Sequence, residues 1–160
     1  KEIIGFANAG GFVMGICNGF QILCETGLLP GALLHNTNHK FICKNVHLKT
    51  ISKNSILTNM IGDKSLKIPI AHGEGRYFAD EKITADLEKN NQILFKYCNE
   101  DGEVTKEANP NGSINNIAGV CNKDRNVFGM MPHPERCCDE LIGGVDGKFI
   151  FESIISSIKR

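Results

Sequence analysis

This 160-residue chain has no net charge: eighteen Lys and Arg stand against eighteen Asp and Glu. Composition therefore gives no electrostatic ground for nucleic acid or an anionic membrane as partner, and a small neutral metabolite or another protein is expected instead. No apolar run approaches the length of a membrane span, and Lys1 to Gly11 lack the apolar stretch of a signal peptide. The seven cysteines are an odd number, and no pair has C-x-x-C spacing. That points away from a disulfide framework or a zinc ribbon and toward reduced thiols in a cytoplasmic protein. Asn111-Gly112-Ser113 fits the glycosylation pattern, but without a secretory signal it reads as a turn built on Asn-Gly. Internal repeats and low-complexity linkers are absent too, and the length fits one domain over 1–160, able to bury roughly 70% of its unfolded surface.

Hydrophobic periodicity organises what is present. Ile3 to Ala9 reads as the end of a helix stopped by Gly10-Gly11, and Phe12 to Ile16 as a buried strand. Cys17-Asn18-Gly19 is a sharp turn into a helix over Phe20 to Thr26, ended by Gly27. Phe41 to Ile51 alternates with period two, Ile68 to Ala71 is extended, and Thr84 to Asn90 predicts a short helix before a strand at Ile93 to Tyr97. Asn99 to Asn116 is polar and loop-like. Ile117 to Cys121 and Val127 to Met131 flank turn residues as a hairpin. Asp146 is positioned to cap a last helix, whose Phe151, Ile154, Ile155 and Ile158 share one face.

Gly15-Ile16-Cys17-Asn18-Gly19 has the form G-x-C-x-G, a thiol version of the nucleophile elbow in which a strand turns tightly into a helix. The glycines let two backbone segments pass closely, the helix N-terminus favours the thiolate, and the N–H of Asn18 points where an oxyanion develops. Alone, the motif fits equally a small buried cysteine at a tight βα turn. It becomes specific beside Pro132-His133-Pro134-Glu135, because a thiol nucleophile needs a base and the base needs a group that fixes its tautomer. Pro134 biases His133 toward extended backbone, in which residues 133 and 135 project to one side.

Three segments, Gly-Ile-Cys-Asn-Gly-Phe-Gln at 15–21, Ala-His-Gly-Glu-Gly-Arg at 71–76 and Gly-Met-Met-Pro-His-Pro-Glu-Arg at 129–136, together resemble the class I glutamine amidotransferases. Within that family the pattern is nearest to the small glutaminase subunits of phosphoribosylformylglycinamidine synthase, with further agreement at 27–31, 109–113 and 146–147. The resemblance implies a three-layer, flavodoxin-like α/β domain with a mostly parallel central sheet. It implies hydrolysis of glutamine to glutamate and ammonia through a Cys17 thioester, with His133 as base and acid and Glu135 as orienting carboxylate. Gln21, Asn18, Gly73 and Glu74 match substrate contacts. Ammonia would pass to an ATP-dependent synthetase subunit, assisted by a small accessory subunit, in purine biosynthesis. No cofactor is implied in this chain, and ATP and Mg belong to the synthetase. Because the family's oxyanion loop and first strands precede the elbow, and a βαβ unit takes 30 or more residues, roughly 60 to 80 residues of the domain are expected upstream of Lys1.

Other readings compete. Glutaminases serving guanine or cytidine nucleotide, anthranilate or carbamoyl phosphate synthesis share the elbow and His-x-Glu. A cysteine peptidase-like protein of similar fold is a second class, and an inactive partner-binding fragment a third. His35, His39 and Cys43 are spaced four apart, yet 41–48 alternates like a strand, so no metal site is expected. Cys137-Cys138 reads as two free thiols, since adjacent cysteines make a strained bridge. His72 mimics the base, with a glutamate two residues on, and is expected to assist glutamine binding at most. Arg76 and Arg136 read as solvated residues or as contacts to the synthetase.

Overall fold

The computed structural model of the chain describes residues 1–158. Its six-stranded sheet has the order β1 (Val13–Ile16), β8 (Val127–Met130), β7 (Ile117–Cys121), β6 (Ile93–Cys98), β3 (Ile42–Thr50), β4 (Leu66–His72). The α/β architecture agrees with the sequence reading. The mostly parallel sheet does not hold within this chain: β1 and β8 pair in parallel, whereas β8–β7, β7–β6, β6–β3 and β3–β4 are antiparallel. The linkage explains the difference. Parallel neighbours need a crossover of a dozen or more residues, and β7 is joined to β8 by the turn Asn122 to Asn126 alone, while β1 reaches β8 after the chain has traversed the whole domain.

Alternation along the strands builds one core on each face. On one side Met14, Ile16, Phe128 and Met130 pack with Tyr97, Ile68 and Ile70 and with Ile150 of α4 (Lys148–Ile158). On the other, Val13, Val127 and Met131 pack against Phe20 and Leu23 of α2 (Asn18–Glu25) and Leu87 of α3 (Glu81–Lys89). The result is three layers. The first helix, α1 (Glu2–Asn8), ends as predicted before Gly10, which has φ +86°.

Three local expectations change. The helix expected from Thr84 starts at Glu81, because Asp80 caps it, its Oδ1 accepting from Ile83 N at 2.7 Å. Asp146 does not cap the last helix: its carboxylate accepts from Lys67 N at 2.8 Å and from Lys64 Nζ at 2.9 Å, tying the start of α4 to the start of β4. A second, two-stranded sheet of β2 (Ala32–Leu34) and β5 (Arg76–Phe78) was invisible to periodicity, since three-residue strands carry no period. The Asn-Gly turn holds, with Gly112 at φ +84° and Asn109 Oδ1 accepting from Gly112 N at 2.9 Å.

The β3–β4 hairpin runs past the end of the main sheet and curls over it. The carbonyl of Pro69 accepts from His133 N at 2.8 Å, and the carbonyl of Ala71 lies 3.9 Å from Cys17 Sγ. Two chain segments more than fifty residues apart from the elbow or from each other thereby meet at its mouth.

Candidate functional site

Cys17 sits where β1 ends and α2 begins, with φ 52° and ψ −106°, a left-handed conformation that a non-glycine residue adopts only at a cost of about 1–3 kcal/mol. Strain at this point is what aims a side chain out of the strand end. Cys17 N donates to Met130 O at 2.9 Å and Gln21 N to Cys17 O at 3.1 Å, so both flanking elements hold the corner. Gly15 is required by space: a Cβ there would lie 2.6 Å from the backbone C and O of Gly19. Gly19 itself has room for a methyl group, so the close passage depends on the first glycine of the motif and not the second.

His133 and Glu135 meet as expected but for another reason. Pro134 to Arg136 form a 3-10 turn rather than continuing extended, and within it His133 Nδ1 stands 2.6 Å from Glu135 Oε1. The carboxylate accepts the Nδ1 proton, which leaves the lone pair on Nε2. That Nε2 is buried and has no hydrogen-bond partner among the described residues. Leaving a buried polar atom unpaired costs about 1–3 kcal/mol, and here it leaves the imidazole lone pair free to take a proton. Glu135 is also 3.5 Å from Arg136 Nε.

One open cavity of about 500 Å³ collects the predicted residues: Cys17, Asn18, Gln21, Gly73, Glu74 and His133 all line it, while Glu135 stands behind the imidazole. Phe41, Ala71, Met131 and Arg136 line it as well; the last three fall within the 71–76 and 129–136 motifs, and Arg136 is there read as a residue facing solvent or a partner. No local pattern marks Phe41, which arrives with the β3–β4 hairpin; Ala71 opens the 71–76 motif and reaches the cavity on the same hairpin. Gln21 Nε2 donates to Glu25 Oε1 at 3.1 Å, and Glu74 Oε1 is 3.4 Å from His35 Nε2. Arg76 Nε donates to the carbonyl of His35 at 2.9 Å, outside the cavity lining. Cys43 is exposed on β3, and Cys137 and Cys138 are free thiols directed at the carbonyls of Lys67 and Pro134.

The electrostatics correct one expectation. Burial pushes the Cys17 thiol above its ordinary value, and the N–H of Asn18 and the Arg136 guanidinium offset this only in part, with Glu135 adding to the rise. The resting sulfur is thus a thiol at neutral pH, not the thiolate that a helix N-terminus alone would favour. At rest it makes no hydrogen bond to His133; its acceptors are Ala71 O at 3.9 Å and Asn18 Oδ1 at 4.0 Å. Alkylation of Cys17 by iodoacetamide should therefore climb about tenfold per pH unit through neutrality with no plateau below the ordinary thiol range. Arg136→Gln should slow it at any fixed pH by removing a stabilising charge. A plateau near pH 6 would contradict this ordering of effects.

His72 is a different kind of imidazole. It is buried beside the same cavity, its pKa is pushed down to about 4 chiefly by desolvation and further by the neighbouring His133, and it is neutral at physiological pH. No carboxylate holds its Nδ1; the carboxamide of Asn36 does, at 3.1 Å.

Comparison with known proteins places these features in context. The sequence profile of the CobB/CobQ-like glutamine amidotransferase domain matches residues 1–145. The chain is 54% identical over 158 residues to the phosphoribosylformylglycinamidine synthase subunit PurQ of Aquifex aeolicus, covering 98% of this chain and 69% of that one. It is 50% identical over 159 residues to the subunit of the same name from Salinibacter ruber, covering 99% and 68%. Among solved structures it resembles a chain of PurLQS from Thermotoga maritima, with TM-score 0.83 and 44% identity over 98% of this chain and 66% of that chain. The chain thus spans about two thirds of the length of the relatives it matches.

Proposed function

Because this chain belongs to the CobB/CobQ-like glutamine amidotransferase family, we propose that it is the glutaminase part of phosphoribosylformylglycinamidine synthase, with Cys17, His133 and Glu135 as its catalytic residues. The observation that carries the assignment is the pairing of two features in one cavity: a cysteine in strained backbone at a helix N-terminus, and an imidazole whose Nδ1 is held by a carboxylate while Nε2 is buried and unpaired. His72, with an amide on Nδ1, lacks the negative partner that stabilises an imidazolium.

The chemistry follows from protonation states. Cys17 begins as a thiol, so attack requires a base: the sulfur turns from the Ala71 carbonyl toward His133, Nε2 takes its proton, and Glu135 stabilises the imidazolium. Resting separations longer than a hydrogen bond are usual before substrate binds. The thiolate adds to the glutamine carboxamide carbon, and the N–H of Asn18 faces the developing oxyanion. His133 returns the proton to the amide nitrogen, ammonia departs, and a γ-glutamyl thioester remains on Cys17. Water, deprotonated by His133, hydrolyses that thioester to glutamate and restores the thiol. Gln21 and the backbone at Gly73 and Glu74, on the cavity wall, would orient the amino acid.

The ammonia serves a synthetase subunit that, with a small accessory subunit, makes formylglycinamidine ribonucleotide; ATP and Mg act there and not on this chain. A cytoplasmic setting suits seven free thiols, and no described helix is long and apolar enough to cross a membrane. The test is glutamine hydrolysis by the intact protein with and without the purine synthetase. Turnover that rises on adding the synthetase, with ammonia incorporated into formylglycinamidine, is the expected result. A stable productive complex with a different synthetase, or no turnover under either condition, would reject the assignment.

A further inference from the structure

The buried carboxamide of Asn36 organises the loop that forms one wall of the cavity. Asn36 is 0% exposed and lies in none of the three motifs. Its backbone N donates to Gly73 O at 2.9 Å, and its Nδ2 donates to Lys40 O at 2.8 Å and His72 O at 2.9 Å. Its Oδ1 accepts from Gly75 N at 3.1 Å and faces His72 Nδ1 at 3.1 Å.

These partners remove an ambiguity that side-chain amides and imidazoles usually leave open. Two backbone carbonyls can only accept and the Gly75 N–H can only donate, so the oxygen and nitrogen of Asn36 cannot be interchanged. The atom facing His72 is then an acceptor, and Nδ1 must carry the proton. In the neutral ring Nε2 has none. The ring is also wedged in place, since a Cβ on Gly75 would collide with its Nδ1 and Cε1. His72 Nε2 is buried and has no hydrogen-bond partner among the described residues. From the other side, Asn111 Nδ2 donates to Gly75 O at 2.8 Å, so the 72–75 segment is gripped between two asparagines from distant parts of the chain.

We propose that Asn36 is a positioning residue of the glutamine site: it pins the 72–75 loop and fixes the proton of His72 on Nδ1, so that Nε2 stands as a hydrogen-bond acceptor in the cavity wall. The proposal rests on the glutaminase reading for its substrate but not for its geometry. A neutral acceptor there suits an N–H group, which glutamine carries on its side chain and the product glutamate does not. It opposes a carboxylate oxygen, which glutamate brings in its place. The wall would thus favour the amide substrate over the acid product.

The test combines imidazole nitrogen NMR of the intact protein, with His72 assigned by comparison with His72→Gln, and steady-state glutamine hydrolysis in complex with the synthetase. In the wild-type protein the His72 proton should reside on Nδ1. Asn36→Ala should let it redistribute to Nε2 and raise the KM for glutamine about tenfold with kcat held within about twofold, the loss of one hydrogen bond's orientation. Asn36→Asp, which keeps both acceptor contacts and loses both donations, should retain the Nδ1 proton. A wild-type spectrum with the proton on Nε2, an Asn36→Ala spectrum identical to wild type, or an Asn36→Ala enzyme with unchanged KM would each overturn the proposal. Should the wild-type protein hydrolyse no glutamine even with the synthetase, the functional reading fails, and the spectra alone decide the role of Asn36.

Discussion

Cys17→Ala is expected to abolish glutamine hydrolysis, lowering kcat by about four orders of magnitude or more, because without the sulfur no thioester forms and water must attack an unactivated amide. The fold should survive. Alanine is smaller than cysteine and the sulfur makes only long contacts, to Ala71 O and Asn18 Oδ1 at 3.9 and 4.0 Å. Alanine inherits the left-handed backbone of the elbow, so its cost is the same strain the cysteine already bears. Binding of glutamine should persist, since Gln21, Gly73 and Glu74 are untouched. The measurement pairs hydrolysis with a glutamine-analogue affinity label, which should add one mass to the wild-type protein at Cys17 and none to the variant. Labelling at another cysteine, with hydrolysis retained in Cys17→Ala, would remove the nucleophile and the elbow argument together. A peptidase-like protein of similar fold would leave Cys17 unlabelled, which makes the same experiment a discriminator between classes.

What the sequence disclosed and what it hid divide along a physical line. Features written in contiguous residues were legible: the alternation of β3, the apolar strands β7 and β8 with their turn, the elbow, and the His133–Glu135 pair. Features set by long-range meeting were not. Phe41 enters the cavity because the β3–β4 hairpin overshoots the sheet, a matter of strand length and curl. Asn36 stands in no motif, and its contacts to Lys40, His72, Gly73 and Gly75 exist only once the chain has folded. The Cys17 thiol follows the same line: a helix N-terminus is readable from sequence, whereas the burial that raises the thiol depends on everything packed around the sulfur. Asp146 shows the same limit in miniature, since a residue well placed to cap its own helix is instead recruited by Lys64 and Lys67, some eighty positions away.

The two buried imidazoles supply the second large effect and the sharpest contrast. His133→Ala should stop thioester formation, with a loss of about four orders of magnitude comparable to that of Cys17→Ala, because groups that act as one unit fail together and not additively. The resting thiol makes the dependence acute: a sulfur already ionised would retain partial reactivity without its base, but burial holds this one protonated. His72→Ala should leave thioester chemistry within about tenfold and raise the KM for glutamine instead, since His72 has an amide and not a carboxylate on Nδ1 and resists protonation down to about pH 4. Rapid-quench trapping of the glutamyl enzyme separates the cases, because it reads acylation before any later step. Acylation lost in His72→Ala but kept in His133→Ala would exchange the two roles. It would require Glu135, now 2.6 Å from His133 and partly shared with Arg136, to act on an imidazole that it does not touch in this fold.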